Sequence, residues 1–249
     1  MPTFNEEAGL AGVLPAALAA GADELVISDG GSSDSTAELA RRLGARVVEG
    51  PAGRGRQLNR GAAACRAPVL LFLHADTLLP PAAVERVRRA VASGAVGGGF
   101  LMRFAEDRPI LRLSARVVNW RTRWNRLPLG DQAQFASREA FERLGGFAEW
   151  PIFEDLDFAR RLRRRGPMAI LSPPVVTSAR RFLEQGAART IATNWLIRAL
   201  FTLGASPHAL ASLYRPDGGR RGQKHESPGA RVGAPGPRAS GRDRRRASG

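Results

Sequence analysis

The sequence predicts an α/β fold, a mostly parallel sheet covered by helices on both faces, and three observations predict it. Short apolar runs rich in Val, Ile and Leu recur through the first half, each bounded by Gly, Pro or Asp. Segments with helical apolar spacing lie between those runs. One run follows the next after about 20–25 residues, the length of a strand–helix–strand unit, whose crossover connection makes the strands parallel.

Taken in order, residues 6–20 form a helix with Leu10, Val13, Leu14 and Leu18 on one face despite Pro15. Residues 25–28 follow as a strand, 35–43 as a helix, 45–48 as a strand, 55–66 as a helix and 69–73 as the most apolar strand. The second half is less regular. Residues 100–104 and 133–137 read as strands, 110–126 as an arginine-studded amphipathic helix, and 138–144 and 154–165 as helices stopped by Gly145 and Gly166. Short strands at 168–171 and 175–178 precede a helix with an apolar face at 187–203. Residues 216–249 are Gly, Pro, Ser and Arg with almost nothing to bury, which predicts a disordered tail behind a folded domain of residues 1–215. Pro2-Thr3-Phe4-Asn5-Glu6-Glu7 has the form of a turn and helix start that follows a strand, yet only Met1 precedes it. The first strand of the sheet is therefore expected to be missing from this chain.

Composition narrows the classes. The 249 residues are 43% hydrophobic and 24% charged, which excludes disorder throughout and allows a sizeable core. Cys65 is the single cysteine, so there is no intrachain disulfide and no cysteine-based zinc cluster. The net charge of +15 favours anionic partners such as nucleotide phosphates or an acidic membrane surface. Six of those charges fall within residues 216–249, and every basic residue but Lys224 is an arginine, a bias that resembles GC-rich coding. No run of uncharged apolar residues is long enough to span a bilayer, and the N-terminus has no basic-then-apolar leader, so the expected location is the cytoplasm.

Parallel sheets of this kind bind ligands at the carboxyl ends of their strands. Asp29 ends a strand there, ahead of Gly30-Gly31-Ser32-Ser33-Asp34, a turn whose glycines allow close backbone approach. Asp34 serves equally as a helix cap or as a ligand-binding carboxylate. His74-Ala75-Asp76 ends the most apolar strand, where a carboxylate can hold Mg²⁺ or Mn²⁺ against a diphosphate or, more plainly, cap the next helix. Arg54 and Arg56 are placed to reach phosphates, and Gln57 and Asn59 to bond a nucleotide or sugar. Glu154-Asp155 opens a helix, which the helix dipole favours in any case, and a carboxylate there can take a proton from a hydroxyl. Gly130-Asp131-Gln132 and Arg180-Arg181-Phe182 flank it as candidates for an acceptor pocket.

Together with Leu73-His74-Ala75-Asp76-Thr77 and Glu154-Asp155-Leu156-Asp157, these segments resemble the family 2 glycosyltransferases of GT-A fold, a Rossmann-like αβα sandwich. Within that family the chain looks closest to a bacterial subgroup associated with radical-SAM and selenium-domain proteins, through Gly55-Arg56-Gln57-Leu58-Asn59, Gly130-Asp131-Gln132 and Ser178-Ala179-Arg180-Arg181-Phe182. The resemblance runs from residue 1 to about Tyr214. It implies inverting transfer of a sugar from a UDP- or GDP-linked donor to an acceptor hydroxyl. Asp155 would be the general base with Glu154 in support, and Asp76 the metal-binding aspartate with His74 where the family's Asp-x-Asp has its first carboxylate. Asp29, Asp34, Glu6, Arg56, Gln57 and Asn59 fall to the nucleotide-sugar, and Asp131, Gln132, Arg180 and Arg181 to the acceptor side. Two other classes stand beside it: a basic protein that binds nucleic acid nonspecifically through the 216–249 arginines, and a transferase-like fold without catalysis. The helical stretches 110–126 and 187–203 offer either core packing or peripheral contact with the inner face of a membrane.

Overall fold

A computed structural model describes residues 1–213; the tail expected at 216–249 lies outside the described residues. The elements follow one another as β1 (Pro2–Thr3), α1 (Glu7–Ala19), β2 (Val26–Asp29), α2 (Thr36–Arg42), β3 (Arg46–Glu49), α3 (Arg54–Ala64), β4 (Val69–Leu71), β5 (Thr77–Leu78), α4 (Ala83–Ala92) and β6 (Gly97–Phe104). Then come α5 (Pro109–Asn125), a 3₁₀ turn at Gly130–Gln132, β7 (Phe135–Ser137), α6 (Arg138–Arg143), α7 (Glu154–Arg163), β8 (Met168–Thr177), α8 (Arg180–Gln185), α9 (Ala187–Thr202) and α10 (Pro207–Ala211).

The alternating first half folds as its periodicity requires. Strands β1, β2 and β3 form a three-stranded parallel sheet in which Thr3 faces Asp29 and Asp29 faces Glu49. The first strand is thus present as a two-residue stub. The Met1 ammonium donates to the Val26 carbonyl at 2.9 Å, and burial lowers its pKa to about 6. An apolar cavity of about 110 Å³ beside the stub is lined by Met1, Leu25, Leu58, Cys65, Leu70 and Phe72.

The second sheet, in the order β4-β7-β6-β8-β5, is mixed: β4, β6 and β8 run one way and β7 and β5 run against them, so β6–β8 is its one adjacent parallel pair among the described residues. Strand β7 returns between β4 and β6 and pairs antiparallel with both, a long-range insertion that local periodicity does not encode. Strand β8 runs as one element through Pro173 and Pro174, where two shorter strands were expected, and its register on β6 shifts between Phe100 and Met102. Beta-carbons are excluded where β6 meets β8: one placed on Gly98 would lie 1.9 Å from the Ala169 carbonyl.

Burial holds the two sheets in place. Leu10 and Leu14 of α1 pack with Ile27 and Ala40, while Val13, Val87, Phe100, Met102 and Phe135 fill the core above the mixed sheet. A separate aromatic cluster of Phe72, Phe141, Phe147 and Phe158 lies below it, with Phe147 and Phe158 4.2 Å apart. Each such ring contributes about 1.5–3 kcal/mol of transfer free energy. This cluster anchors α7, whose first turn carries Glu154 and Asp155. No helix among the described residues is long and apolar enough to cross a membrane.

Candidate active site

At the carboxyl end of β2 the Asp29 carboxylate organises the turn that follows. Its Oδ1 accepts from the Gly31 and Ser32 amides at 2.9 and 2.7 Å, and its Oδ2 from the Ser32 and Thr3 hydroxyls at 2.6 and 3.0 Å. Burial alone would raise its pKa; the bonds from Ser32, Thr3 and Gly31 outweigh it and hold the carboxyl below its ordinary value. Asp34 does the same for the next turn, accepting from the Thr36 amide at 3.0 Å and from the Thr36 hydroxyl. Gln57 is buried beneath this loop and donates to the carbonyls of Thr3 and Ser28 at 2.7 and 3.0 Å, which locks α3 to β1 and β2.

Arg54, the first residue of α3, is the centre of the second half of the site. Its Nε lies 3.0 Å from Glu154 Oε1, and its Nη2 donates to the ring of His74. Burial, and then the Arg54 charge, push the His74 pKa well below its ordinary value, so the ring is a neutral acceptor. Burial also raises Glu154, to about 7, against the pull of Arg54. The Gly130 amide donates to Asp155 Oδ2 at 2.7 Å and the Leu156 amide to Oδ1 at 2.7 Å, so both oxygens of Asp155 are aimed by backbone. A methyl on Gly130 would lie 2.7 Å from Arg54 Nη2, 2.8 Å from His74 Nε2 and 3.2 Å from Asp155 Oδ2, which leaves room there for no side chain.

Asp76 follows β4 at the same edge. Burial raises its pKa, opposed by a 3.2 Å bond from the Thr77 hydroxyl and by Arg54 and Arg180. Among the described residues no three His, Cys, Asp or Glu side chains are grouped to hold a metal. Mg²⁺ and Mn²⁺ are commonly held by one or two carboxylates together with substrate phosphates, and the chemistry of Asp76 fits that shared form. His74 Nε2 is occupied by the Arg54 contact and is open to a cation only when that guanidinium turns away.

Next to Asp131 a cavity of about 70 Å³ opens between α5 and α9, with Met102, Phe104, Phe182 and Trp195 among its walls. Asp131 Oδ1 and Asn194 Oδ1 are buried at this cavity with no hydrogen-bond partner among the described residues. Burial, then the neighbouring Asp155 charge, raise Asp131 to about 6.

The structure sets Glu154 and His74 directly against Arg54 and brings Asp155 to the same point beside Gly130, while Asp76 and Asp131 lie near enough for their charges to act on the Arg54 guanidinium. Glu6 and Arg180 stand nearby, 3.6 Å apart. Other expected site residues serve the frame. Arg56 pairs with Glu149 on the surface at 2.6 Å, and the Asn59 amide clamps the Phe147 backbone in both directions. Gln132 is fully buried, accepting from the Thr122 hydroxyl at 3.0 Å and donating to the Phe100 carbonyl at 2.9 Å. Arg181 is half-buried in α8. The sequence pointed to Arg54 beside Arg56 as a phosphate contact but gave only Arg56 a place among the nucleotide-sugar residues, and it did not single out Asn194. Arg54 was recoverable: it stands three residues before buried Gln57 and so shares its helix face, whereas Arg56 does not.

Comparison with known proteins gives one consistent family. The family model described as Glycosyl transferase family 2 matches residues 1–148. An uncharacterized glycosyltransferase of Mycobacterium tuberculosis is 34% identical over 159 residues, covering 58% of this chain and 69% of that protein. Among solved structures, glucosyl-3-phosphoglycerate synthase from Mycobacterium tuberculosis, in complex with Mn²⁺, UDP and glucosyl-3-phosphoglycerate, is 25% identical with a TM-score of 0.54 over 79% of this chain and 77% of that one. A mannosyltransferase from Pyrobaculum calidifontis, in complex with GDP-mannose and Mn²⁺, shares the fold at 21% identity and a TM-score of 0.57, over 85% and 68% of the two chains.

Proposed function

This chain belongs to glycosyl transferase family 2, and on that premise we propose that it moves a sugar from a nucleoside diphosphate donor to an acceptor hydroxyl with inversion at the anomeric carbon. The observation that carries the reading is the meeting of Arg54, His74 and Asp155 over Gly130, at the strand ends where the Asp29 loop and Asp76 also lie. Thr3, Asp29 and Ser32 shape the loop that receives the base, with Asp34, Glu6 and Arg180 at its rim. Asp76 would hold a divalent cation, with His74 beside it, and the bound ion would offset the charge of the departing diphosphate.

The acceptor oxygen forms its bond to the anomeric carbon as the bond to the diphosphate oxygen breaks, and that electron pair leaves with the diphosphate. The acceptor proton passes to Asp155, which its two backbone amides hold in place. Glu154 keeps Arg54 directed toward the developing negative charge. Asp131 and Asn194 are the acceptor-side groups. Both present a buried oxygen that needs a donor, which suits an acceptor with more than one hydroxyl.

Isothermal titration of UDP and GDP with and without Mn²⁺ tests the donor side. Mn²⁺-dependent binding that Asp76→Ala abolishes is the expected result, and the preferred nucleotide narrows the donor. Absence of binding to either nucleotide would mean a transferase-like fold without this activity. On the catalytic side, Asp155→Asn is expected to keep nucleotide affinity and lose transfer from the matching nucleotide-sugar. Undiminished turnover in that variant would move the base to another residue.

A further inference from the structure

Helix α5 is apolar on two sides. Leu111, Ala115 and Thr122 face the core, and on nearly the opposite face Leu113, Val117, Trp120 and Trp124 form a stripe at helical spacing that is open to solvent. Trp120 and Trp124 are 67% and 78% exposed, and their rings stack with planes 6° apart and centroids separated by 6.2 Å. A water-facing helix has no use for such a stripe, because core packing is already supplied by the other side. Neighbouring α9 adds exposed Trp195 and Leu196, and Leu203 follows at its end.

Charge identifies the occupant. Neither α5 nor α9 contains an Asp or Glu, while Arg112, Arg116 and Arg123 lie along one flank of the α5 stripe and Arg189 is exposed on α9. Only Arg112 has an acidic neighbour, Asp107 at 3.1 Å, among the ion pairs of the described residues. A second copy of this face would bring like charges together, and a nucleic acid would leave the leucine and valine stripe in water. Tryptophan beside arginine, with aliphatic side chains between, is the composition of a helix lying in the headgroup layer of an anionic bilayer.

We propose that the outer face of α5, with the exposed apolar side chains of α9, is a docking surface for an anionic lipid bilayer. The tryptophans enter the interface and the arginine flank meets the headgroup phosphates. This surface stands apart from the donor-binding residues and does not depend on the transferase reading.

The full chain is to be co-sedimented with phosphatidylcholine vesicles and with phosphatidylcholine–phosphatidylglycerol vesicles. Binding only to the anionic vesicles is expected, weakened by salt, with a blue shift of tryptophan emission and quenching by brominated acyl chains. The double variant Trp120→Ser/Trp124→Ser should lower the partition coefficient by about tenfold or more at an unchanged melting temperature. Arg112→Gln/Arg116→Gln/Arg123→Gln should remove most of the preference for anionic lipid. Binding that the tryptophan variant leaves unchanged would overturn the proposal and assign the attraction to other arginines, including those of residues 216–249. Absent vesicle binding, or binding without quenching by brominated lipid in the unaltered protein, would overturn it as well. So would a self-associated state that the tryptophan variant dissolves.

Discussion

Arg54 Nε lies 3.0 Å from Glu154 Oε1 and ties the first residue of α3 to the first residue of α7. The Glu154 side chain is 4% exposed and that of Arg54 41%, so the carboxylate is the partner that depends on the pair. Replacement by Ala would leave Glu154 buried without its cation. Breaking a buried pair from one side costs about 3–5 kcal/mol, and the exposure of Arg54 reduces that to about 2 kcal/mol for Arg54→Ala. The loss should be larger at pH 8 than at pH 5, because Glu154, already raised to about 7, takes up a proton in acid and no longer needs a counter-charge. Thermal melts of both proteins across that range check it; a deficit independent of pH would show that packing rather than charge is lost.

Asp131 is raised by burial as Glu154 is, but here the substitution removes the buried charge itself, so it should stabilise. Its folded pKa of about 6 stands above the ordinary 3.8, so the folded state binds the extra proton between those values. Stability from this group is complete below the lower value and is lost as pH rises through the upper one. Asp131→Asn should therefore raise the melting temperature at pH 8 by about 2–4 °C for each 1 kcal/mol recovered, and change it little at pH 4. An equal gain at both pH values would count against a desolvated carboxylate. Transfer activity should fall in the same variant if Asp131 receives the acceptor.

The parts of this molecule legible in the sequence are those set by local pattern. Residues 25–28 and 45–48 carry enough apolar periodicity to place β2 and β3, and Gly30-Gly31 after Asp29 marks the ligand-facing turn. Residues 133–137 read as a strand, but the place of β7 between β4 and β6 was not legible, because it is fixed by packing between distant segments, with more than sixty residues of chain separating the paired Leu70 and Ala136. The same holds in the site. Asp76 and Asp155 stand at element ends that a pattern can find, whereas Asn194 reaches its cavity only because α9 crosses beside α5.

Gly130→Ala tests the convergence at the site with the smallest possible change. The added methyl would stand 2.7 Å from Arg54 Nη2 and 2.8 Å from His74 Nε2, closer than real side chains approach, so both must move. Both contacts are side-chain ends, so the fold should survive while transfer falls by about a hundredfold, the scale that small misplacements of reacting groups produce. Gly12→Ala is the matched control, since nothing lies within 4 Å of its new methyl in α1, and it should stabilise the protein by about 0.5–1 kcal/mol with full activity. Steady-state kinetics and melts of the two variants separate the effects. Full activity in Gly130→Ala would remove the tight meeting of Arg54, His74 and Asp155 from the catalytic account.

Phe158 controls the site from beneath. Its ring is fully buried on α7 and packs 4.2 Å from Phe147, 5.7 Å from Phe141 and 6.1 Å from Phe72, so a single side chain joins α7 to the residue just after β4, to α6 and to the loop that Asn59 clamps. Phe158→Ala removes the ring and leaves a cavity, a change that costs about 3–5 kcal/mol. The variant Phe158→Leu keeps much of the volume and should cost about 1–2 kcal/mol. Because Glu154 and Asp155 begin the same helix, the larger cavity should also loosen the Gly130–Asp155 bond, and turnover should drop further than nucleotide affinity. Urea unfolding gives the stability difference, and the ratio of kcat to nucleotide affinity in the two variants gives the rest. If Phe158→Ala lost stability but kept its turnover per folded molecule, α7 would be positioned by its first turn alone, through the Arg54–Glu154 pair and the Gly130 amide, rather than by the aromatic cluster below it.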